Sequence, residues 1–185
     1  MRITDNRYAG EMSKFSLAVR MIGHEARTGT IRACTGFSED RIRKIFTAYF
    51  KLEKGNQVKR RRGKSPTQIT PFVNSSGRQS EATVLACLFL YCGVIRLDDK
   101  NGTAIPRRLD PVGLGERICD AFETYCSVHP DPGLCLERTW CLYNALARDR
   151  ELFFASCAHC NGPYIQDRYA LDYHRCPFCE IKLAS

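Results

Sequence analysis

Four cysteines near the C-terminus, Cys157, Cys160, Cys176 and Cys179, make the pattern C-x2-C-x15-C-x2-C, the spacing of a four-cysteine zinc site. A two-residue spacer folds the chain into a knuckle with both sulfurs on one side. Two knuckles complete a tetrahedron with zinc–sulfur bonds of about 2.3 Å. Four protein thiolates leave no position for a catalytic water, so the pattern predicts one structural Zn2+ ion. Gly162 after the first knuckle and Pro177 inside the second suit such turns. The residues between the knuckles are too few to own a core, and a metal can supply roughly 10 to 16 kcal/mol of folding energy to such a unit. His159 and His174 are alternative ligands by position, although four correctly spaced thiolates already saturate the ion. A redox C-x-x-C pair calls for a βαβ setting that the sequence lacks. The other seven cysteines form no C-x-x-C pair and read as small buried hydrophobes.

A second set of residues has the chemistry of a phosphate-binding surface. In "TIRACTGFSEDRIRKIF", Gly36 could turn the chain between two helices, with Phe37 as a buried plug and Ser38 as the cap of the second helix. Glu39 and Asp40 then fall in a first turn that favours carboxylates. Ile42 and Ile45 face inward, leaving Arg41, Arg43 and Lys44 as a row suited to a groove-entering helix. Arg32 stands where such a first helix carries a small residue, and acids at the start of the second are unusual for base reading. An ordinary helical hairpin with a charged face therefore stands as an equal alternative. The basic run Lys59, Arg60, Arg61, Arg62 and Lys64 is either a solvated loop or a clamp on a phosphate backbone.

These candidates need elements to hold them. The chain has 185 residues, 44% of them hydrophobic, and a formal charge of +8, enough for a core and suggestive of a polyanionic partner. Residues 13–52 read as helical, with Phe15, Val19, Ile22 and Ala26, then Ile42, Ile45, Phe46 and Tyr49, at helical spacing. "EKGNQVKRRRGKSPTQITP" is a connector, and "SEATVLACLFLYCGVI" a helix buried on most sides. Val84, Leu88 and Phe89 make it so apolar that part of it is expected to face a partner subunit. "DDKNGTAIPRRLDP" is a turn-rich break. "GLGERICDAFETYCSVH" and "DPGLCLERTWCLYNALARDRELFFAS" are further helices, the latter capped by Asp131 with Pro132 at its first position. Its inner face carries Leu136, Trp140, Tyr143 and Leu146. The expected fold is mainly α: a helical region with a helix-turn-helix-like segment (1–55), a basic connector (56–72), a central helical core (73–155) and a small four-cysteine zinc-ribbon-like module (156–185).

Taken together, the chain resembles the FlhC family, the zinc-containing subunit of the bacterial flagellar master regulator. The resemblance is carried by "ARTGTIRACTGFSEDRIRKIF", "GKSPTQITPF", "SEATVLACLFLYC", the stretch "LERTWCLYNALARDRELFFASCAHCNGPYI" and the second knuckle "CPFC". It implies a transcriptional activator that works in a hetero-oligomer with an FlhD-type partner, binds and bends promoter DNA and recruits RNA polymerase to flagellar genes. A regulator of other genes is the alternative. The resemblance places the zinc on the same four cysteines, and Arg41, Arg43 and Lys44 are the expected DNA contacts, with the basic run beside them.

Other function classes find less in the residues. There is no Walker loop, no G-x-S-x-G and no H-E-x-x-H, so an enzyme is not expected. An RNA-binding or protein-bridging zinc module is a further alternative, because Tyr164, Tyr169, Tyr173 and Phe178 could stack on unpaired bases. No run of residues is long and apolar enough to cross a bilayer. "MRITDNRYAGEMSKF" has no signal-peptide h-region. The expected location is the bacterial cytoplasm, at the nucleoid, with the thiols reduced.

Overall fold

A computed structural model describes residues 3–51, 58–61, 63–98, 104–147, 151–170 and 175–184. Three helices open the chain: α1 (Ile3–Gly23), α2 (Thr28–Thr35) and α3 (Glu39–Tyr49). The short α4 (Thr70–Val73) leads into α5 (Ser76–Tyr91), and a small hairpin of β1 (Ile95–Leu97) and β2 (Ala104–Pro106) precedes α6 (Pro111–Val128) and α7 (Leu136–Ala147). A second hairpin, β3 (Leu152–Ser156) and β4 (Pro163–Asp167), and the helix α8 (Pro177–Ala184) complete it. Both hairpins are antiparallel and two-stranded. The fold is the expected mainly α-helical one with a small cysteine-rich ending.

One contiguous core joins α1 to α7, with Leu17, Met21, Ile31, Leu85, Phe89, Ile118, Leu136 and Leu142 all almost fully buried. On α1 the buried stripe is Leu17, Ala18, Met21 and Ile22, whereas Phe15 and Val19 pack only partly against it. α6 meets α1 and α2 at very short range. A Cβ on Gly115 would stand 2.7 Å from Leu17 Cδ2 and 2.9 Å from Cys34 Cβ, closer than packed carbons tolerate. Along their edge Arg20 donates to Glu116, Asp120 and Glu123 at 2.6–2.7 Å, and His24 Nε2 lies 2.6 Å from Glu123 Oε1.

Buried carboxylates hold the loop between α6 and α7 and the start of α2. Glu81 on α5 accepts from the Tyr125 hydroxyl, from Gly133 N at 2.6 Å and from Arg78 at 2.9 Å. Tyr125 Oη in turn accepts from Leu134 N at 3.1 Å. Glu137 on α7 reaches back to accept from Arg27 N at 2.6 Å, at the start of α2.

Four expectations need correction. Asp131 and Pro132 are not a helix start, because α7 begins at Leu136. The Asp–Pro cap belongs to α6, where Asp110 accepts from Gly113 N and Pro111 takes the first position. "ELFFAS" is strand rather than helix, pairing Phe154 with Ile165 and Ser156 with Pro163. The break after α5 contains the β1–β2 hairpin, with Arg96 opposite Ile105. Phe89 is fully buried and so does not face a partner. Val84 and Leu88 are half-exposed and Tyr91 is exposed, three to four residues apart on α5.

Candidate metal centre

The two hairpin strands and α8 bring the cysteines together. Cys157 follows β3 directly, and the chain then turns through Cys160 and Asn161 into β4. Asn161 N donates to Cys157 O at 2.8 Å and Cys157 N to Gly162 O at 3.0 Å, closing the knuckle. The left-handed residue is Asn161, at φ 57°, and not Gly162 as its type suggested; asparagine tolerates that region better than most side chains. Cys176 stands just before α8, and its sulfur accepts from Cys179 N at 3.4 Å, the part a serine or aspartate plays at a helix start. Pro177 is the first residue of that helix, where its missing N–H costs nothing.

All four sulfurs lie within 4.8 Å of one another. Cys157 Sγ to Cys179 Sγ is 3.9 Å and Cys160 Sγ to Cys176 Sγ is 3.7 Å. A tetrahedron with zinc–sulfur bonds of about 2.3 Å has edges of about 3.8 Å, so the cluster can coordinate a metal ion. Amides aim at the sulfurs as well: Cys157 Sγ accepts from Cys176 N at 3.2 Å and from His159 N at 3.4 Å. Burial opposes ionisation of Cys157, but the amides of Cys160, Cys176 and His159 outweigh it and bring the thiol down to about 6. Cys179 is pushed up to about 12, first by its contact with Cys176 and then by burial. Four thiolates this close repel one another, and a divalent cation removes that conflict. Among the described residues the ligand set is four cysteines and no histidine. His159 is exposed in the turn, and His174 lies outside the described residues.

The module is fixed to α5 through the edge of β4 that pairs with no other strand. Phe154 pairs with Ile165 across the hairpin, and the backbone polar groups of Ile165 find their partners on the helix. Thr83 Oγ1 accepts from Ile165 N at 3.3 Å, and Gln79 Nε2 donates to Ile165 O at 2.8 Å. Residues 79 and 83 are one helical turn apart, so one face of α5 serves as a substitute strand and covers the edge. Ser76 Oγ donates to Glu180 on α8 at 2.7 Å. Tyr164 and Ile165 are both fully buried, Tyr164 in the metal module's own cluster and Ile165 in the main core. That removes Tyr164 from any stacking surface; Tyr169 and Phe178 are exposed, and Tyr173 lies outside the described residues.

The basic candidates sit elsewhere. Gly36 has φ 71° and its N–H returns to Arg32 O, while Ser38 accepts from Arg41 N. Phe37, Ile42 and Ile45 are buried, and Arg41, Arg43 and Lys44 are exposed on α3. Two of these cations are already paired: Arg41 with Glu11 at 2.9 Å and Arg43 with Asp40 at 2.7 Å. Arg41 also lies 3.7 Å over the Phe37 ring. The basic segment is fastened rather than loose. Glu25, at φ 57°, accepts from Lys59 N at 3.0 Å and from Arg61 at 2.9 Å. Arg27 donates to Lys64 O, and Thr30 meets Ser65 at 3.0 Å. Arg60 is half-buried, and Arg62 lies outside the described residues. Sequence reasoning passed over Arg96, Arg107 and Arg108, exposed at the β1–β2 hairpin; the hint was "PRRL" beside the Asn101-Gly102 dipeptide, a hairpin signal.

Of the remaining cysteines, Cys34, Cys119 and Cys141 are buried and Cys87, Cys92, Cys126 and Cys135 half-buried. Burial raises the thiols of Cys34 and Cys119 to about 12, as expected of packing residues. No helix among the described residues is long and apolar enough to cross a membrane. No family model matches the chain, and no curated protein matches it.

Proposed function

We propose that this chain is a DNA-binding subunit of a transcription activator whose C-terminal module is held by one structural zinc ion. The observation that carries the reading is that two basic elements are each held in a fixed place on the helical core. α3 presents Arg41, Arg43 and Lys44, and Glu25 and Arg27 hold the segment containing Lys59, Arg60 and Arg61 beside the entry to α2. Phosphate contacts from both would position the protein on a duplex, with the net charge of +8 favouring approach. The resemblance to the FlhC family supports the same reading and adds an FlhD-type partner, RNA polymerase and flagellar promoters. The stripe of half-exposed Val84 and Leu88 with exposed Tyr91 on α5 is the surface we assign to the partner subunit. Zinc is favoured over other ions by an all-thiolate tetrahedral set.

Fluorescence anisotropy with duplex DNA, single-stranded DNA and RNA across a salt series tests the reading. Duplex binding should weaken steeply between about 50 and 200 mM salt. R41A/K44A should reduce both the affinity and the salt slope. Stronger binding to single strands, or no binding to any duplex with and without an FlhD-type partner, would overturn the proposal.

A further inference from the structure

A cleft of about 430 Å³ lies between residues 65–67 and α7, lined by Ser65, Thr67, Trp140, Cys141, Asn144 and Glu151 among others. Its volume is within the range of small-molecule sites, about 300 to 1,000 Å³. The wall opposite α7 is tied in place from two sides. Thr30 meets Ser65 at 3.0 Å, and Cys141 Sγ donates to Gln68 O at 3.8 Å.

Asn144 Nδ2 donates to Trp140 O at 2.8 Å, which leaves the amide oxygen and the second N–H for a ligand. The Glu151 carboxylate is exposed and makes no ion pair among the described residues. Among the described residues it is the one formally charged group in the lining. Arg138 lies beside Cys141 but does not line the cleft. Trp140, half-exposed, adds an indole face, the best aromatic surface for a cation. We infer that this cleft is a binding site for a small organic cation, an alkylguanidinium or alkylammonium, seated between Trp140 and Glu151. The inference stands apart from the DNA reading, since neither residue belongs to the basic surface.

Trp140 is the only tryptophan in the chain, so the site carries its own reporter. The test is a fluorescence titration of the full chain with n-butylguanidinium, using butyramide and butyrate as neutral and anionic probes of matched length. The expected result is a saturable change with butylguanidinium at millimolar concentration and none with the other two. E151Q, at an exposed position, should weaken that binding about three- to fivefold, the size of a partly exposed ion pair, with an unchanged circular-dichroism spectrum. An equal response to butyramide or butyrate, no response to butylguanidinium up to about 100 mM (far weaker than millimolar), or an E151Q titration matching wild type would each overturn it.

Discussion

Thr83→Val isolates the bond that seats the metal module on the helical core. The substitution keeps the branched shape and removes one oxygen. Thr83 is 1% exposed and Ile165 is fully buried, so no water can take over the Ile165 N–H once Thr83 Oγ1 is gone. The hydrogen bond is long at 3.3 Å and its own net worth is small. The cost comes from the orphaned buried donor, about 1 to 3 kcal/mol. For a chain of this size 1 kcal/mol moves the melting temperature by about 2 to 4 °C, which gives an expected fall of about 2 to 12 °C. Thermal unfolding of the metal-loaded protein measures it, with Thr83→Ser as the control that retains the acceptor. Amide exchange should show Ile165 losing protection in the valine variant before α6 or α7 does. If valine and serine variants melt together with wild type, the substitute-strand argument is wrong.

Metal removal is expected to unfold β3, β4 and α8 while leaving most helical signal intact, because the module's own apolar cluster is only Ala155, Cys157, Tyr164 and Cys176 with Phe153 and Cys179; elemental analysis should give one zinc per chain, and Cys176→Ser should lose it. Gly115→Ala should destabilise by about 1 to 3 kcal/mol, since its Cβ meets Leu17 and Cys34 inside 3 Å, an overpacking cost read by chemical denaturation. The Arg20 guanidinium beside Glu123 holds that carboxyl near 2, below its ordinary 4.5. The stability it contributes is therefore complete above about pH 4.5 and lost as pH falls toward 2, and Glu123→Gln should flatten that part of an acid-unfolding curve.

The helices and the ligand set were legible because their signals are local. Gly36, Ser38, Ile42 and Ile45 behave as their types and spacing indicate, and the four cysteines converge as their spacing requires. The misreadings fall where two local signals compete. "ELFFAS" carries no turn residue to separate it from α7, and short apolar runs cannot be told apart as strand or helix by periodicity. The three-residue strands β1 and β2 are too brief for alternation to register. Asp131–Pro132 and Asp110–Pro111 are identical as start signals, and only the tertiary network of Glu81 with Gly133 and Tyr125 keeps the former extended. The clamp on Ile165 had no sequence signature, since it depends on which edge of β4 faces α5.

If the basic elements bind a polyanion as proposed, the carboxylates beside them impose a selection on it. Glu11, Asp40 and Glu25 act as resident counterions for Arg41, Arg43 and Arg61, so an arriving polyanion must displace a competitor at each position. Loosely arranged negative charge, such as a disordered acidic tail, gains little from that exchange. A rigid array of phosphates that engages several positions together would recover the loss, so on the proposed reading the surface would discriminate by the geometry of charge rather than by its amount.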